Sequence, residues 1–179
     1  MLDNFKNFLE RVDIRSIIGN HKKMFYNNIS GEKTNENTVF EFFSIIFSLL
    51  FSIKTLDYYL NFKTLLDFQN HYNSLISDLI NIESIFIGLF SGAIFGLIAI
   101  DKKYFSKNGV ITLKELMNSL LYFILLSILI IIYSFGFKLT NNNIIMFLSI
   151  FFLYYYLTQQ SLLVFIFLKR INFLLNDKE

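Results

Sequence analysis

Two carboxylates and one run of polar side chains stand where this 179-residue chain could do chemistry. Glu41 and Glu83 border long apolar runs, and Thr158-Gln159-Gln160-Ser161 interrupts another. A carboxylate inside a membrane segment is a candidate for handling protons or cations. Each acid also has a plainer use. Glu41 follows Thr38 by three residues, the spacing of a capping box, in which it reaches back to a free backbone N–H. Glu83 sits beside a span end and reads as interfacial. The expected topology puts Glu41 near the inner surface and Glu83 near the outer one, too far apart to share a proton or an ion.

The two adjacent amides cannot both face one neighbour on a helix. At least one points into the bundle or towards another subunit. It then makes either an interhelical hydrogen bond, worth roughly 0.6 kcal/mol and up to about 2, or part of an amide ring around a narrow water path in an oligomer. His21 and His71 are expected on opposite sides of the membrane and form no metal site. No HExxH, GxSxG or P-loop pattern occurs. With no Cys there is no disulfide and no thiolate metal site. The expectation is a protein that is not an enzyme and holds no cofactor or metal.

The elements that must position these groups are apolar helices. Hydrophobic residues make up 54% of the chain and its mean hydropathy is +0.50. Soluble domains hold roughly 45–50% apolar residues even with Gly counted. The net charge of +2 gives no footprint for nucleic acid. No signal peptide is expected, because the first long apolar run starts near Val39, after a polar leader.

Hydropathy places four spans at about 38–56, 79–100, 119–137 and 144–168. Residues 1–37 form a cytoplasmic leader and 171–179 a short cytoplasmic tail. The second span carries Gly88, Gly92 and Gly96 at four-residue intervals, with Ser84 one step before them. Phe86, Phe90 and Leu97 fall on the opposite side. Such a small-xxx-small ladder lets a second backbone approach closely, within the chain or from another subunit. Residues 57–80 read as a short outer amphipathic helix, on the spacing of Leu65, Phe68, Tyr72, Leu75, Ile76 and Leu79. Thr112 and Glu115 repeat the capping-box spacing, after a turn signal at Lys107-Asn108-Gly109. The polar stretch 138–143 is short enough to join spans three and four as an antiparallel hairpin.

Residues 1–18 read as a cytoplasmic amphipathic helix. Phe5 and Leu9 lie on its apolar face, and Arg11, Arg15, Lys22 and Lys23 supply positive charge in or after it. It meets the inner leaflet, docks on a cytoplasmic partner or packs under its own bundle. Of the 16 basic residues, thirteen fall in the leader, the middle loop and the tail, and three in the other loops. The positive-inside rule then puts both termini in the cytoplasm.

The fold expected is an all-α integral membrane protein of four transmembrane helices, with amphipathic helices at the N-terminus and on the outer surface. Amino-acid usage rich in Asn, Ile and Lys points to a bacterial source and hence to the cytoplasmic (inner) membrane. Three functions fit. The first is a homo-oligomeric membrane subunit, acting as scaffold, sensor or effector with a cytoplasmic protein partner. The second is a pore or channel that changes membrane permeability. The third, weakened by the absence of Pro and of broken helices, is a small-solute transporter. By architecture alone, small four-span proteins of this kind occur in bacterial conflict systems, including antiphage defence.

Overall fold

The computed structural model describes residues 36–100 and 105–176, together with Ile18. The expected amphipathic helix at 1–18, with Phe5, Leu9, Arg11, Arg15, Lys22 and Lys23, lies outside the described residues, as does His21. The described residues form four helices: α1 (Glu36–Tyr59), α2 (Leu65–Ala99), α3 (Lys107–Leu139) and α4 (Asn143–Asn176). All four are long and apolar enough to cross a membrane.

Three sequence expectations give way at the helix ends. Helix α1 starts at Glu36, before Thr38, so Thr38 is not its cap. Helix α3 starts at Lys107, and the turn signal at Lys107–Gly109 is its first helical turn. Its cap is Ser106, whose Oγ accepts from the Gly109 N–H at 3.1 Å, the ordinary use of a serine at this position. Thr112 therefore lies inside the helix, where its Oγ1 donates to the Asn108 carbonyl at 3.0 Å. Glu115, no longer its capping partner, pairs with Arg170.

The separate outer helix over 57–80 is also replaced. α1 runs on to Tyr59, and after a turn at 60–64 one unbroken helix of 35 residues covers Leu65–Ala99. Thr64 caps it, its Oγ1 accepting from the Asp67 N–H at 3.1 Å. The cause is phase. Leu65, Phe68, Tyr72, Ile76 and Leu79 continue in helical step into Glu83, Phe86, Phe90, Ile94 and Leu97, and no Gly or Pro breaks the series before Gly88. At 1.5 Å per residue α2 is about 52 Å long, well beyond the roughly 30 Å of a bilayer's hydrocarbon.

Helix α3 packs along both α2 and α4, and α1 packs along α4. The three-residue turn at 140–142 makes α3 and α4 an antiparallel hairpin. At this end, called here the turn end, Phe68 is fully buried among Tyr59, Phe62, Tyr72 and Phe137. At the far end Arg170 of α4 holds α3 through Glu115, Nε to Oε2 at 3.5 Å, and through the Ser119 hydroxyl. Both charged groups lie beyond the uncharged stretch 119–137. Burial pushes the Glu115 carboxyl up, and the Arg170 guanidinium opposes that shift.

Helix α1 is patterned inside out. Ser44, Ser48 and Ser52 are fully buried, while Phe42, Leu50 and Ile53 are about 60% exposed. A soluble protein does the reverse. In hydrocarbon there is no hydrophobic drive between helices, and small residues let two backbones close up. The buried serines form a small-xxx-small row on the helix that packs on α4, and Ser48 Oγ donates to the Ser44 carbonyl within the helix.

Candidate functional site

The polar residues singled out in the sequence divide between a buried cluster and an open face. Glu83 does not stand at a helix end. It is 1% exposed, near the middle of α2 and on that helix's inward stripe. Gln160 of α4 donates from Nε2 to Glu83 Oε2 at 2.7 Å and to Ser127 Oγ of α3 at 2.9 Å. One carboxyl, one amide and one hydroxyl thus join three helices, and both N–H bonds of the amide are used.

Gln160 takes the interhelical of its two expected roles, and it faces its own bundle. Gln159 is also buried, with Nε2 at 3.4 Å from the Tyr155 hydroxyl. Thr158 Oγ1 donates back to the Tyr154 carbonyl and Ser161 Oγ to the Leu157 carbonyl, each at 2.8 Å. Those two hydroxyls satisfy themselves along the helix. Glu41 is half-buried at the other end of its helix and is not joined to Glu83 in this cluster. Ser127 had no sequence signal of its own beyond being a small polar residue in an apolar run.

The cluster yields a measurable prediction. Replacing Glu83 with Leu strands a buried N–H of Gln160, which should cost about 1–3 kcal/mol. Gln160→Leu should cost a similar amount by stranding the carboxyl. The double variant should cost clearly less than the two singles together, because only the Ser127 hydroxyl then loses its partner. Unfolding in mixed micelles measures all three. Additive losses would show that the two side chains are not coupled.

The glycine ladder lies on the open side of α2. A Cβ built on Gly88, Gly92 or Gly96 meets nothing within 4 Å. Ser84 is exposed as well, with Oγ donating to the Ile80 carbonyl at 2.7 Å. Of the two expectations for the ladder, packing inside one chain finds no contact among the described residues: Phe86, Phe90 and Leu97 pack inward, and the glycines face out. The glycine that does sit at a close helix contact is Gly136, where an added Cβ would stand 2.9 Å from Ser149 Oγ of α4.

The open face extends beyond the glycines. Asn70, Ser74, Asn81, Ser84, Gly88 and Gly92 follow one another in helical step, all exposed. Three ties set the height of α2 against α3. Gln69 Nε2 donates to the carbonyls of Phe137 and Thr140 at 2.6 and 2.8 Å. Glu83 meets Ser127 through Gln160. The Phe90 and Phe123 rings meet at a tilt with centres 4.3 Å apart. Residues 74–81 of α2 therefore lie level with about 128–135 of α3. At that height α3 turns Ile128, Ile132 and Phe135 outward, while α2 exposes Ser74, Asp78 and Asn81 beside Leu75 and Ile82.

No family model, curated protein or solved structure matches this chain. The functional reading rests on its own geometry.

Proposed function

We propose that this chain is a multi-pass protein of the bacterial cytoplasmic membrane that works as a homo-oligomeric subunit, its copies meeting along the open face of α2. The mismatch at one height carries the reading. Ile128, Ile132 and Phe135 suit hydrocarbon at the level where Ser74, Asp78 and Asn81 do not. Lipid-exposed polar groups in the hydrocarbon are costly, so the α2 face needs a cover other than lipid. A second copy supplies one. Amides and hydroxyls both donate and accept, so those of one copy can pair with those of the other about a two-fold axis and can also donate to the Asp78 carboxylate. Further along the helix the glycines allow the two backbones to approach.

Membrane insertion draws support from α1, whose serines point in and whose Phe and Leu side chains point out. The charge asymmetry supports cytoplasmic termini. On that side Arg11, Arg15, Lys22 and Lys23 would meet anionic lipid or a protein partner. In this reading the protein serves as scaffold, sensor or effector, and the Glu83–Gln160–Ser127 cluster fixes the register of the three helices that carry the interface.

Single cysteines test both parts, since the native chain has none. Cysteine in place of Lys63 or Asn141, both at the turn end, should react with an impermeant thiol reagent on intact cells. Cysteine in place of Lys107 should not. Under mild oxidation Gly88→Cys should give a covalent dimer, and Phe165→Cys, on the exposed side of α4, should not. Reversed labelling would overturn the orientation, and equal cross-linking at both sites would overturn the interface.

A further inference from the structure

We infer that the wedge between α1 and α2 binds one acyl chain of a bilayer phospholipid. The two helices are joined at the turn end and then part, each leaning on a different partner: α1 on α4, and α2 on α3. The space left between them is a cavity of about 480 Å³, within the roughly 300–1,000 Å³ of small-molecule sites. Ile150, Leu153 and Leu157 of α4 and Phe137 of α3 contribute to its lining, and Leu75, Leu79 and Ile82 line its α2 side.

Apart from the Tyr72 hydroxyl, the polar side chains in the lining are paired or stand at its rim. Thr55 and Tyr154 place their hydroxyls 3.0 Å apart, and Thr55 Oγ1 also reaches the Phe51 carbonyl at 2.8 Å. Those hydroxyls answer each other. Ser74 and Asp78 are exposed and lie at the rim, where the α2 side passes into its polar face. Interior and rim together fit a flexible alkyl chain better than a polar solute.

The position of the wedge selects the source of that chain. Its α1 flank is the inside-out helix, whose Phe51 and Leu50 are open to the surroundings. In a bilayer those surroundings are hydrocarbon, so a lipid tail enters sideways between the two helices. A bound tail would fill the gap that separates α1 from α2 and would make the setting of α1 depend on lipid. This inference rests on the membrane reading above.

The chain has no Trp, so an introduced one is the sole strong reporter. Full-length Leu75→Trp and Phe165→Trp proteins in detergent micelles would be titrated with a phospholipid brominated in its acyl chain. Quenching at position 75 should saturate near one lipid per chain, while quenching at position 165 should rise in proportion to bulk lipid. Matching curves at both positions would overturn the site. No quenching at position 165 would instead overturn the membrane reading. A second measurement does not depend on the tryptophan. In the unsubstituted protein, a diazirine-tailed phospholipid should label the peptides around Leu75–Leu79 and Leu153–Leu157 ahead of the outward face of α1, and even labelling would overturn the site.

Discussion

A chain carrying Gly92→Ile should fold as a protomer and fail to associate. The branched side chain enters open space, since a Cβ at this position meets no atom of the same chain within 4 Å. Thermal unfolding of the protomer should therefore stay close to that of the parent. In the proposed oligomer the same side chain would stand where two backbones approach, so the fraction of oligomer in mild detergent should fall by about tenfold or more, equivalent to at least about 1.4 kcal/mol. Ala93→Ile is the control. Position 93 is also exposed but points well away from the ladder, and the oligomer should survive there. If Gly92→Ile leaves the oligomer intact, the copies do not meet along α2. If it unfolds the protomer instead, another part of the chain covers the ladder.

Gly136→Ile should give the opposite result. A bare Cβ at this position already stands 2.9 Å from Ser149 Oγ and 3.8 Å from Ser149 Cβ. Ser149 is itself 3% exposed on α4 and has little room to yield. The rest of the isoleucine side chain must push α3 from α4 or leave its rotamer, and such overpacking costs typically about 1–3 kcal/mol, occasionally more. The protomer should lose stability in the same unfolding assay that Gly92→Ile passes. Gly136→Ala should cost less, and adding Ser149→Ala should recover most of that smaller loss, since the Cβ meets the hydroxyl. A stable Gly136→Ile protein would mean that the α3–α4 contact is looser than the structure has it.

These two glycines mark where sequence reading stops. Small residues four apart state that a backbone can come close, and they carry nothing about whose backbone it is. Gly88, Gly92 and Gly96 and the buried Ser44, Ser48 and Ser52 have the same spacing, yet the first row is open and the second is packed on α4. The serine row was legible as spacing, and the inverted burial of α1 was not, because it depends on where α4 lies. The four apolar helices were legible because length and hydropathy are local properties. The unbroken course of α2 was legible too, in the uninterrupted helical step from Leu65 to Leu97. Glu83 falls on that step between Leu79 and Phe86, so its burial follows once 57–80 is read as part of the same helix. Its link to Gln160 is 77 residues distant and has no local signal. Ser106 as the cap of α3 was hidden by Gly109, which is usually a turn residue and here lies buried in a first helical turn.

The pairing of α1 with α4 has a consequence for biogenesis. α1 is the first of the four helices to be made, and the helix it packs along is the last. The Tyr59 hydroxyl donates to Asn143 Oδ1 across 84 residues of chain. At roughly 5–20 residues per second, synthesis leaves α1 waiting about 4–17 s for the start of its partner. During that interval the three buried serine positions have no α4 to cover them, while α2 and α3 can already pair. A chain arrested before Asn143 should therefore hold a formed α2–α3 hairpin beside an unanchored first helix, and such an intermediate offers a membrane protease or an insertion chaperone a defined moment at which to act.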